Sequence, residues 1–420
     1  MTEPRLRRAS STAHAPRSWA VRALAAVAAA VLFAPSPAAA TNDPLFPRQW
    51  PLARIGAPDA RATGDDVLIA VIDTGVDMNH PDLRGKVAGS AVCLDGPCRE
   101  GGGQDDNGHG TEVAGIAVAN TDNGRGIAAV APGAKLLVAK VLDSDGAGRV
   151  DDINAGIRWA VDRGAKVINL SLGDPDFLLT SLVGTPLRPG IEYAWTRGAV
   201  PVLASGNYRI GVVDQGSSNY GDLNAMVVGA TDRRNAVARY STSIGNAKWG
   251  VVAPGGFGPE APADDQVITT TLGGGYGAVA GTSAAAPHVS AALAALLGMG
   301  FNPTAAVERL LGTLDRTVSC GTGCQGLLNL KAAVAAGGPP ANSPTSPPGG
   351  GGPGSPTTIS GDGVGGIQGT GDGSGDRTEA ATRDGDDDGG GRTVALVIAL
   401  VLLVGVGAAV GGVGLTRSRA

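Results

Sequence analysis

Three absences narrow the class of this 420-residue chain. Its 68 glycines follow no Gly-X-Y period, which excludes a collagen triple helix. Outside the N-terminal segment the chain has no basic cluster, and its net charge is −5, so nucleic acid is not an expected partner. Residues 337–391 hold 19 glycines and 7 prolines but few apolar side chains, which excludes a packed core in that stretch.

The first forty residues predict an export signal. Several arginines precede an apolar run from Ala23 to Phe33, and small residues follow it up to Thr41. This run is too short to cross a bilayer of about 30 Å but has the length of a signal-peptide core. We therefore assign residues 1–40 to a signal peptide, with a retained amphipathic helix as the alternative.

The C-terminal region predicts a membrane anchor. Residues 393–415 carry no charge and are long enough to span a membrane as a helix. Arginines in the tail, residues 416–420, fit a cytoplasmic location under the positive-inside rule. Residues 337–392, rich in Gly, Pro and Asp, are typical of a disordered linker, which would let the globular domain extend away from the membrane helix. The predicted location is the cell membrane, with a single span and an extracellular domain.

Cysteine is scarce, and its four copies form two close pairs, Cys93/Cys98 and Cys320/Cys324. In an exported chain, two local disulfides are the simplest of the three pairings. A four-cysteine zinc site is the alternative, but the spacing fits poorly and no histidine lies nearby.

Residues 41–336 are enough for one globular domain. Apolar runs rich in β-branched residues alternate with helical patterns, which predicts an α/β fold with a mostly parallel sheet between helices. The predicted strands are Val67–Ile72, Lys135–Leu142, Lys166–Leu172, Ala199–Ala204, Ala225–Ala230 and Trp249–Ala253. The predicted helices are one carrying Ile153, Ile157 and Val161, one over Ser283–Leu297 and one opening at Pro303.

Three glycine-flanked segments place polar residues where strands or loops end. Asp73 lies in VIDTGVD, His109 in NGHGTEVAG and Ser283 in GTSAAAPH. A serine hydroxyl is a weak nucleophile, so it needs an imidazole base, and the imidazole needs a carboxylate to fix its tautomer. Ser283, His109 and Asp73 therefore supply one candidate for each of these three roles.

In this order the segments resemble the signature motifs of subtilisin-like serine proteases, over about residues 41–336. A fourth segment, ASGN, ends at Asn207 and resembles that family's oxyanion-hole strand end. The resemblance implies the subtilisin-like three-layer fold and a serine endopeptidase that needs no cofactor for its chemistry. It implies Ser283 as nucleophile, His109 as general base and then acid, and Asp73 as its orienting carboxylate. The Asn207 amide and the Ser283 backbone N–H would bind the oxyanion.

The histidine inventory supports His109 independently of the family. After signal removal only His80, His109 and His288 remain. His80 lies in a turn signature, and His288 follows Ser283 on the same predicted helix at a spacing that points it away from the hydroxyl.

Two other assignments compete with this triad. Asp73 and Asp77 could form an acid dyad, although the intervening Thr74-Gly75 is typical of a turn. The sedolisins share a similar serine segment but use glutamate as base, and the presence of His109 and Asn207 argues against them.

Two segments resemble the edges with which subtilases pair an extended polypeptide substrate. They are Ser171-Leu172-Gly173 and the segment that holds Gly146 and Gly148. Glycine has a physical reason there, because it leaves room for an approaching backbone. Ordinary loop glycines are the alternative interpretation of Gly146 and Gly148.

A structural calcium site is a further expectation from the resemblance. The run NTDNGRGI, which contains Asn123, resembles the calcium loop of thermitase and subtilisins, and Asp43 and Asp82 match carboxylate positions that assist there. Hard oxygen ligands suit calcium. A glycine-rich surface turn is the alternative.

The segment before the first predicted strand is short, about 25 residues from Thr41, where most subtilisins carry a long propeptide. With the linker and the membrane helix, it resembles the mycosins, membrane-anchored subtilases of type VII secretion in actinobacteria. These patterns predict a membrane-anchored serine endopeptidase with candidate partners in a secretion system. The competing hypothesis is a protease-shaped structural component of a secretion complex with little or no activity.

Overall fold

A computed structural model describes residues 41–172, 186–207, 221–258 and 260–339. The predicted signal peptide, membrane helix and cytoplasmic tail lie outside these ranges, as do Gly173 and all but the first residues of the linker. Within these ranges no helix is both long enough and apolar enough to cross a membrane.

Strands and helices alternate along most of the described chain. The strands are β1 (Leu68–Asp73), β2 (Val87–Val92), β3 (Arg99–Glu100), β4 (Lys135–Lys140), β5 (Val167–Leu170), β6 (Val200–Ala204), β7 (Met226–Thr231), β8 (Trp249–Pro254), β9 (Val267–Thr271), β10 (Gly275–Val279) and β11 (Cys324–Leu327). The α-helices are α1 (Trp50–Ile55), α2 (Ala57–Ala60), α3 (His109–Val118), α4 (Val150–Asp162), α5 (Arg188–Thr196), α6 (Thr282–Gly298), α7 (Pro303–Gly312) and α8 (Leu330–Ala335).

Nine strands form one sheet in the order β11-β8-β7-β6-β5-β1-β4-β2-β3. Neighbours pair in parallel except β2 with β3, and β9 and β10 form a separate antiparallel hairpin. The carboxyl ends of β1, β5 and β6 meet at one edge of the sheet. Asp73 ends β1, Ser171 follows β5 and Asn207 lies shortly after β6, so this edge collects the predicted site residues.

Each face of the sheet carries its own hydrophobic core. Alternate residues of β1 enter different cores, Ile69 and Val71 one of them, Ala70 and Ile72 the other. The first core contains α6, whose residues Ala284–Leu296 are all buried, together with α3. The second contains α4 and α5. The predicted α/β fold, with a mostly parallel sheet between helices, is confirmed.

The six predicted strands and three predicted helices are present, with ends within about two residues of those expected. Strands β2, β3 and β11 and the β9–β10 hairpin were not identified from the sequence. In β2 and β10 small and polar residues replace the β-branched runs, and most residues of both strands are only partly buried.

Both local disulfides, Cys93–Cys98 and Cys320–Cys324, are formed. This confirms the predicted pairing and leaves no free thiol in the described chain for the alternative zinc site.

Candidate active site

Asp73 and His109 are brought into direct contact by the end of β1 and the start of α3. The Nδ1 atom of His109 lies 2.7 Å from Oδ1 of Asp73, whose side chain is completely buried. Because a carboxylate only accepts, Nδ1 carries a hydrogen, and in the neutral imidazole Nε2 is then the acceptor. Nε2 has no hydrogen-bond partner among the described residues, so it is available to a reacting hydroxyl.

Close approach of backbone makes this contact feasible. A Cβ atom added to Gly110 would lie 2.0 Å from the carbonyl oxygen of Gly75, so any side chain at 110 would push α3 away from the end of β1. The glycine beside His109 is therefore required by packing, as expected from the sequence.

Three polar groups converge beside Gly281. A Cβ atom at Gly281 would lie 2.9 Å from Ser283 Oγ, 3.3 Å from Asn207 Nδ2 and 3.6 Å from the backbone nitrogen of Ser283. Oδ1 of Asn207 accepts from the N–H and the hydroxyl of Thr282, at 2.8 and 2.9 Å, which fixes the amide with Nδ2 free to donate. The hydroxyl and both candidate oxyanion donors thus face one small space.

Ser283 stands in the first turn of α6, which packs directly against α3. Ala284 shares a buried cluster with Ile116 of α3. The Ser283 hydroxyl is not hydrogen-bonded to His109, whose Nε2 has no partner in the described chain. Catalytic hydrogen bonds are often long before substrate binds.

The charge around His109 favours its protonated form. Burial lowers the pKa of His109, but the charge and hydrogen bond of Asp73, with the charges of Glu112 and Asp105, outweigh it and raise the pKa to about 9. Burial raises the pKa of Glu112 to about 7, against the attraction of His109. Three carboxylates therefore surround one imidazole.

A buried hydrogen-bond chain ties the Ser283 turn to β5. Pro287 lies four residues after Ser283 and has no N–H, so the Ser283 carbonyl cannot accept the usual helical bond. The Ser171 hydroxyl donates to that carbonyl instead, at 2.9 Å. Asn169 in turn donates to the Ser171 hydroxyl at 2.9 Å and accepts from Ser290 of α6 at 2.7 Å.

The predicted substrate edges are only partly described. Gly173 lies outside the described residues, and the Leu172 side chain is buried in the second core, so only its backbone can meet a substrate. Gly146 has a φ of +76° in a turn, and a Cβ at Gly148 would lie 2.4 Å from the Val141 carbonyl oxygen. The local backbone conformation and packing thus explain why glycine occupies both positions, and the role of Gly146 and Gly148 in substrate binding stays a prediction.

Asp43, Asp82 and Asn123 lie together and are joined by hydrogen bonds of the loop that contains Asn123. Both oxygens of Asp43 accept backbone N–H groups of the loop, from Asp122 at 2.9 Å and Asn123 at 3.1 Å. Asp82 accepts from Asn123 Nδ2 at 2.8 Å and from the N–H of Ile127 at 3.0 Å. Each carboxylate oxygen has two lone pairs, so an oxygen that accepts one N–H can still bind a cation, and these residues offer the oxygen ligands that calcium prefers. The calcium role of Asp43, Asp82 and Asn123 stays a prediction.

The competing residues have structural partners. Asp77 bonds Gln104 at 3.1 Å and the N–H of Gly273 at 3.1 Å rather than Asp73, which does not support the acid dyad. His80 is buried with both ring nitrogens engaged, and His288 donates through Nδ1 to the Ala284 carbonyl at 2.9 Å.

Thr282, Asn169 and Asp105 were not identified from the sequence as parts of the site. Their bonds join segments far apart in the chain, which no local pattern shows. Asp105 lies shortly before the start of α3, a position where an acidic residue is typical of helix capping.

Comparison with known proteins agrees with this geometry. The subtilase family profile matches residues 64–342. Thermitase of Thermoactinomyces vulgaris is 36% identical over 286 residues, 67% of this chain and 94% of thermitase. Subtilisin Savinase of Lederbergia lenta is 40% identical over 248 residues, 58% of this chain and 82% of that protein. A solved protease structure from Pseudoalteromonas arctica PAMC 21717 superposes with a TM-score of 0.60 at 30% identity, covering 70% of this chain and 99% of that one. The chain belongs to the subtilase family and is a serine endopeptidase.

Proposed function

We propose that this subtilase is a membrane-anchored cell-surface endopeptidase that cleaves extended polypeptide through an acyl-enzyme on Ser283. The observation that carries the catalytic part is the 2.7 Å contact of Asp73 with His109, whose Nε2 has no partner in the described chain. The hydroxyl of Ser283 and the amide of Asn207 converge beside Gly281, as a nucleophile and an oxyanion donor must.

The chemistry proceeds in two balanced halves. Nε2 of His109 takes the Ser283 proton as Oγ attacks the scissile carbonyl, and the oxyanion is held by Asn207 Nδ2 and the Ser283 N–H. His109 then gives the proton to the departing amine, leaving an ester on Ser283. Water, deprotonated by the same imidazole, hydrolyses the ester and restores the serine. Asp73 stabilises the imidazolium in both halves.

Labelling with a fluorophosphonate probe tests the catalytic roles. Purified protein should label stoichiometrically, and Ser283→Ala should not. The competing hypothesis, an inactive structural component of a secretion complex, predicts no Ser283-dependent labelling. The presence of every triad residue favours the enzyme.

Substrate contact by backbone pairing is proposed for Ser171-Leu172-Gly173 on one side and for Gly146 and Gly148 on the other. The position of Ser171 supports the first edge, because its hydroxyl already bonds the carbonyl of Ser283. A chain that binds there lies directly beside the nucleophile.

Anchoring is proposed from the sequence of residues 393–415, with residues 1–40 as the export signal and a mycosin-like attachment to a secretion system. Deleting residues 393–415 should move the protein from the membrane fraction to the medium. If the truncated protein stays with the membranes, the anchor assignment is wrong, and fluorophosphonate labelling of the same variant reports activity separately.

A further inference from the structure

Thr74, the residue after Asp73, is fully buried and connects the two halves of the proposed catalytic pair. Its backbone N–H donates at 2.7 Å to Oδ1 of Asp73, the oxygen that also binds His109. Its hydroxyl accepts from the N–H of Gly110 at 2.9 Å. Thr74 therefore bonds the carboxylate on β1 and the first turn of α3 at the same time.

Asp105 secures this connection from the loop before α3. Its Oδ1 accepts from the Thr74 hydroxyl and from the N–H of Gly108, both at 2.9 Å. Its Oδ2 accepts from the N–H of Thr111 at 2.9 Å and from the Thr111 hydroxyl. Gly108 and Thr111 lie on either side of His109, so one carboxylate, only 6% exposed, fixes the turn that carries the imidazole.

A carboxylate that caps a helix is common and usually affects stability alone. Asp105 differs because it also bonds Thr74 and, through it, the strand that carries Asp73. The contact between His109 and Asp73 thus depends on a bridge of two side chains outside the pair. We propose that Asp105, acting through Thr74, is a positioning residue of the catalytic pair. This proposal rests on the catalytic roles given under Proposed function.

The negative charge of Asp105 has a second effect, on the pKa of His109. Burial lowers the pKa of His109, while Asp73 on β1, Glu112 on α3 and Asp105 raise it. A cation of the described chain, Lys140 of β4, also lies on this side and donates at 2.8 Å to the Thr74 carbonyl. Neutralising Asp105 therefore weakens the bridge and also lowers the pKa of the base.

Asp105→Asn is the first test, because an amide keeps the shape but cannot accept at both of its atoms. We expect kcat to fall by up to about 100-fold with KM nearly unchanged, the scale on which small displacements of catalytic groups act. The acid limb of kcat/KM should move to lower pH. If the folded variant keeps the wild-type kcat and acid limb, the positioning role is wrong.

Asp232→Asn is the matched control. Asp232 is 4% exposed and accepts the N–H groups of Arg234 and Ala236, at 2.8 and 3.0 Å, in the turn after β7. Its replacement should lower the unfolding temperature but leave kcat and the acid limb unchanged. Equal losses of kcat in Asp105→Asn and Asp232→Asn would mean that Asp105 only stabilises the start of α3, as a helix cap does.

A pair of substitutions at Thr74 tests the bridge itself. Thr74→Val removes the hydroxyl at constant shape and should reproduce the loss of kcat, whereas Thr74→Ser keeps the hydroxyl and should retain most of the activity. Equal kcat values for the two variants would contradict a role for the hydroxyl.

Proton NMR separates failure of this proposal from failure of the proposed function, because it needs no catalysis. In Ser283→Ala protein, the hydrogen between His109 and Asp73 should give a downfield resonance. Adding Asp105→Asn should shift or broaden it, and adding Asp232→Asn should not. An unchanged resonance overturns the positioning role, whereas absence of Ser283-dependent labelling in the wild type overturns the proposed function alone.

Discussion

As the proposed general base, His109 must be neutral to accept a proton, so we expect its raised pKa to set the acid limit of activity. Because the folded pKa is about 9, kcat/KM should rise from neutral pH to about pH 9 and fall as pH drops through that value. Glu112, with a pKa of about 7, becomes ionised as pH rises above neutral and then adds negative charge beside the imidazole.

Glu112→Gln should therefore move the acid limb of kcat/KM to lower pH, because it removes one of the charges that stabilise the imidazolium. The pH profile for a small peptide substrate measures this. Glu308→Gln, an exposed change on α7, is the control and should leave the profile unchanged. An acid limb that stays in place or moves upward in Glu112→Gln would contradict the proposed electrostatics.

Asn207→Ala should lower kcat about 10²- to 10³-fold with little change in KM, because one oxyanion donor is lost; this range is the one known from subtilisin. Asn224→Ala, which removes a surface hydrogen bond from Lys248, is the matched control and should leave kcat and KM unchanged. Retention of normal kcat in Asn207→Ala would exclude the amide from transition-state binding.

Asp73, His109, Ser283 and Asn207 were predicted from the sequence as site residues because each stands in a short contiguous motif. The structure adds how they are held. Asp105 in the run QDDNG is one of two loop acids in the sequence, and only the fold shows that it bonds Thr74, 31 residues earlier. Contacts between distant segments have no local signature.

At the level of elements, buried parallel strands were predictable because both faces are covered and the runs are apolar throughout. The β9–β10 hairpin was not, since Thr269 and Thr270 turn their hydroxyls to carbonyls at the start of α3 and glycines interrupt β10. A polar strand of this kind resembles a loop in sequence.

Helix α6 offers a double-mutant test of its link to β5. Ser171→Ala should destabilise the fold by about 1–3 kcal/mol, because the Ser283 carbonyl loses its donor. Pro287→Ala restores a helical N–H four residues on, so the same Ser171→Ala change should cost less in that background. Urea unfolding in Ser283→Ala protein, which cannot digest itself, measures the four free energies. If the free-energy changes of the two substitutions simply add, the N–H restored by Pro287→Ala does not replace the Ser171 hydroxyl as donor to the Ser283 carbonyl.

For the whole molecule, His288 makes stability depend on acid. Burial lowers its pKa to about 4, outweighing its bond to the Ala284 carbonyl. A lowered pKa contributes stability above the unfolded value of about 6.5, and this stability is lost as pH falls toward 4.

Between pH 6.5 and 4, His288 should lower the unfolding free energy by about 3 kcal/mol, whereas Glu112, whose pKa is raised to about 7, should raise the unfolding free energy as it takes up a proton. The His288 contribution is therefore read from a comparison of variants. Urea unfolding of Ser283→Ala protein across this range measures it. His288→Asn, less stable at pH 7, should lack the His288 contribution, so the difference in unfolding free energy between parent and variant should shrink by about 3 kcal/mol from pH 6.5 to 4. An unchanged difference would assign the acid sensitivity to other groups.

The place of α6 in the fold also decides when activity can first arise. A chain made from its N-terminus completes β1 and α3 long before Ser283 is added. Until α6 follows, α3 covers only part of one apolar face of the sheet, because α6 residues between Ala285 and Leu296 supply much of that core. The proposed nucleophile and a large part of this core therefore arrive together, so a chain that ends before α6 has neither the hydroxyl nor the core that holds the site in place.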